Sequence, residues 1–186
     1  MTAQNNVYLS FGRHGRYGRD TAIDRKSMLE AFLTGRRLQK ELPPAETVYY
    51  SPIARAVQTA EFRALGMECT HTLPVPQLSE ETPAFVCRKF INTLTAQANE
   101  NVFHYHFVTH LPVVEKLGLP DLGAGEICVC AAENWQEMLA DNFSVTVWSL
   151  PEQEETHALM RALALTEETM LTCSPEDIKA KIMALE

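Results

Sequence analysis

No run of about eighteen apolar residues, the length a membrane-spanning helix needs, occurs in this chain. The first stretch, MTAQNNVYLSFGRHG, has no basic segment leading into a long apolar one, so no secretory signal is read there. Cysteine is sparse and unpaired in pattern: Cys69, Cys87, Cys128, Cys130 and Cys173 are odd in number and form no CxxC motif. With no export signal, reduced thiols in a cytoplasmic protein are expected. Cys128 and Cys130 alternate in EICVCAAE, which predicts one face of a strand and packing as small hydrophobes rather than metal or redox chemistry. Positive charge is in deficit, with 16 Lys and Arg against 24 Asp and Glu and a formal net charge of −8. That balance argues against nucleic acid or an anionic membrane as partner. It still allows a locally basic pocket. Internal repeats and low-complexity linkers are lacking as well.

What is present is a globular composition, 46% hydrophobic and 22% charged over 186 residues, enough for one domain with a real core. Apolar, β-branched and aromatic runs bounded by turn signals read as strands: VYLSF (7–11), TVYYS (47–51), VFHYHFVT (102–109), ICVCAA (127–132) and VTVWSL (145–150), with MECTHTL (67–73) as a weaker sixth. Helical spacing lies between them. The segment 24–42 carries Met28, Leu29, Phe32, Leu38 and Leu42. The segment 51–66 opens with Ser51 as N-cap and Pro52 at the first helical position, and 82–98 opens with Thr82-Pro83 in the same way. A third such start follows VTH at Pro112.

This alternation predicts a three-layer α/β/α domain with a mostly parallel central sheet, its ligand site at the carboxyl ends of the strands. After Pro151 the chain turns acidic and helix-prone, and two helices over 151–186 are expected to pack on a core of about 7–150, within a single domain spanning 1–186.

The chemistry-bearing residues sit where strands stop. The first strand ends in Arg13-His14-Gly15, the second in Ser51 with Arg55 one turn into the next helix, and the fourth in Thr109-His110. In a parallel sheet these ends share an edge, so two arginines and two histidines converge beside helix N-termini. Such a set fits a phosphoryl group. Arginine offers a fixed fork of donors to phosphate oxygens, and a neutral imidazole is a competent nucleophile toward phosphorus. Positioning and charge neutralisation are then supplied without a metal.

RHG at the first strand end, SPIARAVQTAE after the second and VTHLPVVEKLG after the fourth together resemble the histidine phosphatase superfamily, its phosphoglycerate mutase-like branch, over about residues 7–132. The short chain, SPxxRAxQTxE and THLPVV are most similar to the small SixA-type phosphohistidine phosphatases. The resemblance implies that His14 attacks phosphorus and carries the group as a phosphohistidine, with Arg13, Arg55 and His110 clamping its oxygens. It implies no cofactor and no metal, and a phosphorylated protein or small phosphorylated metabolite as partner. Gly15, Arg16, Ser51 and Glu81 are candidate substrate- and phosphate-binding residues.

Family members acting on esters use a carboxylic acid after the third strand to protonate the leaving oxygen. An alkoxide is a poor leaving group, its conjugate acid having a pKa near that of water, roughly 16. Imidazole, at about 6.5, leaves far more easily. Glu80 is the first candidate for that acid and Glu81 the second; both also suit the first turn of the helix near Thr82-Pro83. Arg16 replaces the acidic or amide residue that often follows RHG, with Arg19 close behind. The two either bind a second anionic group or are exposed loop arginines. A sugar-phosphate mutase and a non-catalytic phospho-ligand binding module are the alternative functions. A three-histidine metal site from His104, His106 and His110 is excluded if the strand is continuous, because six residues of strand span about 20 Å and zinc–nitrogen bonds are about 2 Å. Gly12 and Gly15 are expected to keep the backbone slim beside His14.

Overall fold

The strand Val7–Arg13 is buried on both faces, which places it inside a sheet rather than at its rim. It belongs to a computed structural model that describes residues 6–18 and 22–185, so Arg19 lies outside the described residues. In chain order the elements are β1 (Val7–Arg13), α1 (Arg25–Glu41), β2 (Val48–Tyr50), α2 (Ala54–Gly66), β3 (Thr72–Pro74), α3 (Ala84–Ala96), β4 (His104–Thr109), α4 (Leu111–Lys116), β5 (Ile127–Ala132), α5 (Trp135–Leu139), β6 (Ser144–Trp148), α6 (Gln153–Ala162), α7 (Glu167–Thr172) and α8 (Pro175–Met183), with a short 3-10 turn at Pro76–Leu78.

The sheet order is β3-β2-β4-β1-β5-β6. β1, β4, β2 and β3 run parallel. β5 runs antiparallel to β1, and β6 antiparallel to β5. The sheet is therefore mixed: the expected parallel arrangement covers four strands and stops at β5. Part of the reason is length. The segment 133–143 contains a helix of only 5 residues, too short for the crossover of about a dozen residues that a parallel return requires.

Each face has its own apolar cluster. Val7, Leu9 and Phe11 pack with Ile91 of α3, Val113 and Val114 of α4 and Met138 of α5. On the other face Val48, Val108, Ile127 and Val129 meet Leu38 of α1 and Ala56, Ala60 and Ala64 of α2. α1 and α2 touch backbone to backbone: a Cβ at Gly35 would lie 2.2 Å from the Arg63 carbonyl oxygen, and one at Gly66 2.1 Å from that of Phe32. Only glycine permits this approach.

Three local expectations are corrected. α2 starts at Ala54 with Ile53 as its cap residue, because the Ser51 hydroxyl is engaged elsewhere. α3 starts at Ala84 after Pro83, while the Thr82 hydroxyl donates to the Pro76 carbonyl. The C-terminal segment forms three helices rather than two. Ala164 takes a left-handed conformation (φ 51°), and Thr166 opens α7 with a capping box on Thr169. Leu163, Leu165, Met170, Ile178 and Ile182 of this segment bury against Met28, Leu29, Phe32 and Phe62, so the helices cover the outside of α1 and α2 and not the sheet. Among the described residues, no helix is long and apolar enough to cross a membrane.

Candidate active site

Parallel pairing of β2, β4 and β1 brings their carboxyl ends to one edge. Main-chain bonds extend the pairing past the strands: His14 N–H donates to Thr109 O (3.0 Å), and Ser51 N–H to Val108 O (3.0 Å). The RHG, Ser51 and TH segments are thus fixed beside one another by backbone alone. α2 then projects Arg55 back over β1.

His14 is 4% exposed. Its Nδ1 lies 2.8 Å from the Gly15 carbonyl, which only accepts, so the ring proton sits on Nδ1 and Nε2 carries the lone pair. Arg55 Nε–H donates to that lone pair at 3.0 Å. Burial pushes the His14 pKa down to about 4, helped by the Arg55, Arg13 and Arg63 charges and opposed by the Gly15 carbonyl. Near neutral pH the ring is uncharged, with a single tautomer enforced.

The His110 ring centroid lies 5.0 Å from that of His14. Its Nε2 shares a 2.8 Å hydrogen bond with the Ser51 hydroxyl, and its Nδ1 is 3.0 Å from Glu80 Oε1. Burial, followed by the His14 and Arg55 charges, lowers its pKa to about 3. Glu80 is also ion-paired with Arg55. The loop that delivers Glu80 is tied down twice: Thr109 Oγ1 donates to Leu78 O (2.7 Å), and Lys116 Nζ to the Glu80 carbonyl.

Other candidates fall into place around this cluster or away from it. Arg13 Nη1 donates to Leu122 O at 2.8 Å, and Gly15 N–H to Thr59 Oγ1 at 3.0 Å. Arg16 turns toward α1, where Nη2 meets both Glu30 oxygens (2.8 and 2.9 Å) and Nε lies 3.7 Å from Asp24. Its charge is already matched there. Glu81 is exposed, and Glu80 makes the contacts to Arg55 and His110. The slimness of Gly12 and Gly15 serves neighbours other than His14. A Cβ at Gly12 would sit 1.6 Å from Arg63 Nη1, and one at Gly15 2.7 Å from Ser27 Cβ.

His104 and His106 join a buried chain. His104 Nδ1–H donates to Pro43 O (3.0 Å), Ser10 O–H to His104 Nε2 (2.7 Å), and His106 Nδ1–H to Ser10 Oγ (2.7 Å). Among the described residues, no group of three or more His, Cys, Asp or Glu is placed to hold a metal ion.

Sequence reasoning missed three residues beside His14. Tyr17 is 51% exposed, with its ring centroid 5.3 Å from that of His14 and 4.8 Å from Arg55 Cζ. Thr59 links Gly15 to the Arg55 carbonyl. Arg63 is fully buried. The signal for Arg63 was its register: Ala56, Ala60 and Arg63 follow helical spacing along the inward face of α2.

An uncharged imidazole flanked by arginines and a carboxylate is equipped for phosphoryl transfer. No protein-family model matches the sequence, and no curated protein matches it. Solved structures do match in fold. The protein histidine phosphatase SixA in complex with tungstate superposes with a TM-score of 0.60 at 20% identity, covering 82% of this chain and 99% of that one. The mycobacterial glucosyl-3-phosphoglycerate phosphatase gives 0.56 at 15% identity, covering 77% and 98%. Phosphoglycerate mutase from Plasmodium falciparum gives 0.50 at 17% identity, covering 81% and 92%. With its RHG, SPIAR and VTH segments meeting at one edge of the sheet, the chain has the fold of the histidine phosphatase superfamily.

Proposed function

We propose that this chain is a metal-independent phosphatase that works through a phosphohistidine at His14. The observation that carries the reading is the state of that ring: the Gly15 carbonyl holds the proton on Nδ1, and the Nε2 lone pair faces Arg55. In the first step the Nε2 lone pair forms an N–P bond while the bond from phosphorus to the leaving group breaks, its electron pair departing with that group. Arg13, Arg55 and His110 hold the phosphoryl oxygens. In the second step water attacks phosphorus, loses its proton, and the N–P pair returns to His14.

On this reading Glu80 takes up a proton from solvent when substrate displaces its ion pair with Arg55. Glu80 then gives that proton to the leaving oxygen of an ester, and takes one back from the attacking water. A phosphohistidine substrate depends on it less, since imidazole leaves readily. The substrate we favour is therefore a phosphohistidine protein, with small phosphate esters second. A SixA protein of similar fold was solved in complex with tungstate, an oxyanion, which supports an oxyanion as ligand for this reading. The same reading treats the chain as one domain, since the C-terminal helices share a core cluster with α1 and α2. It places the protein in the cytoplasm, where its five free cysteines suit a reducing environment.

The test is a panel of phosphohistidine proteins and phosphate esters, including p-nitrophenyl phosphate, assayed with EDTA present. Wild type is expected to turn over at least one, and H14A none, with the acid-labile phosphoenzyme lost as well. Turnover retained in H14A sinks the reading. Saturable vanadate binding with no turnover on any substrate would mean a binding module instead, and transfer to a second sugar phosphate a mutase.

A further inference from the structure

Arg63 is 0% exposed and, among the described residues, has no carboxylate within ion-pair distance. Its Nη2 donates to the carbonyls of Arg13 (3.2 Å) and Gly125 (2.6 Å). Those two carbonyls belong to the segments on either side of the nucleophile. Gly125 N–H donates to the His14 carbonyl at 3.0 Å, and Arg13 N–H to Glu126 O at 3.0 Å. Gly125 itself takes a left-handed φ of 87°, which suits the turn entering β5. One guanidinium thus binds the end of β1 to the start of β5 directly beneath His14. Among the described residues, its buried Nε and Nη1 have no hydrogen-bond partner.

A buried charge without a counter-ion is costly, and replacing such a group with an apolar one often leaves stability unchanged or improved. Packing alone gives no reason to keep arginine here. We propose that Arg63 is a positioning residue for the reaction: it locks the His14 turn to the Gly125 turn, and its unmatched charge is answered by the phosphoryl group bound at His14. This rests on the phosphatase reading above. Burial holds the Arg63 pKa down to about 9, so the cation persists at neutral pH. The groups facing His14 are Arg13 from β1, Arg55 and Arg63 from α2, His110 after β4, and Tyr17, with Glu80 behind Arg55 and His110. Arg63 itself is faced by His106 of β4.

The test uses R63M and R63K in the full chain. It measures kcat and KM against pH on whichever substrate wild type hydrolyses, and the orthovanadate-induced rise in Tm. R63M removes a cation that disfavours protonation of His14, so the acid limb of its kcat/KM profile moves to higher pH. Its kcat falls about tenfold or more, and the vanadate-induced rise shrinks. R63K keeps the charge but loses the planar fork, so its limb stays in place while kcat still falls. Wild-type kcat, limb and vanadate response in R63M overturn the proposal. So do equal losses in both variants with an unmoved limb, which packing alone would give. If R63M does not fold, R63K decides, and wild-type kcat there overturns the positioning role. The vanadate arm needs no turnover, so an inactive wild type would count against the phosphatase reading and leave this inference to its own measurement.

Discussion

Arg55 Nε–H rests on Nε2 of His14, 3.0 Å away, while the same guanidinium is ion-paired with Glu80. On the function proposed above, the donor for the phosphoryl oxygens therefore occupies the lone pair that would attack, and its own charge is held by a carboxylate. A phosphoryl group entering this edge would exchange both contacts at once. Arg55 would pass from ring to oxyanion, and Glu80 would be released toward the leaving group.

Replacing Arg55 removes the donor that makes this exchange. R55A is expected to lose about 10²–10³ in kcat, the usual cost of one oxyanion donor. Its kcat/KM profile should also show an acid limb at higher pH, because the Arg55 charge helps to hold His14 neutral. A pH–rate profile of R55A beside wild type checks both. A wild-type kcat would remove Arg55 from the site.

Neutralising Glu80 separates its two roles. In E80Q the competitor for Arg55 and His110 is gone, so vanadate should bind more tightly by calorimetry. Turnover of p-nitrophenyl phosphate should depend little on Glu80, its leaving group being good, whereas alkyl phosphates should slow by about 10²-fold or more. Phosphohistidine turnover should be largely kept. Equal turnover of alkyl phosphates by E80Q and wild type would assign the acid role elsewhere.

Stability should fall as pH falls from about 6.5 toward 4. His14, His104 and His110 have pKa values lowered to about 4, 4 and 3, in each case chiefly by burial, and His106 is lowered too. Within that window the unfolded chain takes up protons that the folded one refuses. Each such histidine then costs about 1.4 kcal/mol per pH unit, and above the unfolded value the penalty vanishes. Urea unfolding at pH 7, 6 and 5 measures the slope. A midpoint that does not change over that range would contradict the buried neutral rings.

The C-terminal helices should matter to stability and not to chemistry. Ile178 and Ile182 are both 0% exposed and bury on the far side of α1 and α2 from the sheet. I178A and I182A are each expected to cost about 2–5 kcal/mol in urea unfolding. The kcat of the folded variants at 25 °C should match wild type. A lowered kcat in fully folded I178A would show that these helices reach the site.

The strand ends were legible because each motif sits at a change of hydrophobic period: RHG after VYLSFG, Ser51 after TVYY, TH after VFHYHFV. Parallel topology then brings them together without further information. Strand direction beyond β1 was harder to read, since β5 and β6 have the same apolar look in either orientation. The break within 153–172 was hidden by continuous helix-forming residues, although the Thr166 capping box marked it. Arg16 could not be placed from sequence because its partner, Glu30, lies on the next helix. Arg63 escaped for a related reason. Its meaning lies in carbonyls of β1 and of the turn before β5, which no local pattern announces.

Gly12 and Arg63 share one volume, since a Cβ at Gly12 would fall 1.6 Å from the Arg63 Nη1. An alanine at position 12 would displace the Arg63 guanidinium from the Arg13 and Gly125 carbonyls it binds. Relatives should therefore tend to change the two positions together, a larger residue at the β1 position coming with a shorter one on α2. The pair is a covariation signature that would identify, from an alignment alone, which chains carry a cation beneath the histidine that ends β1.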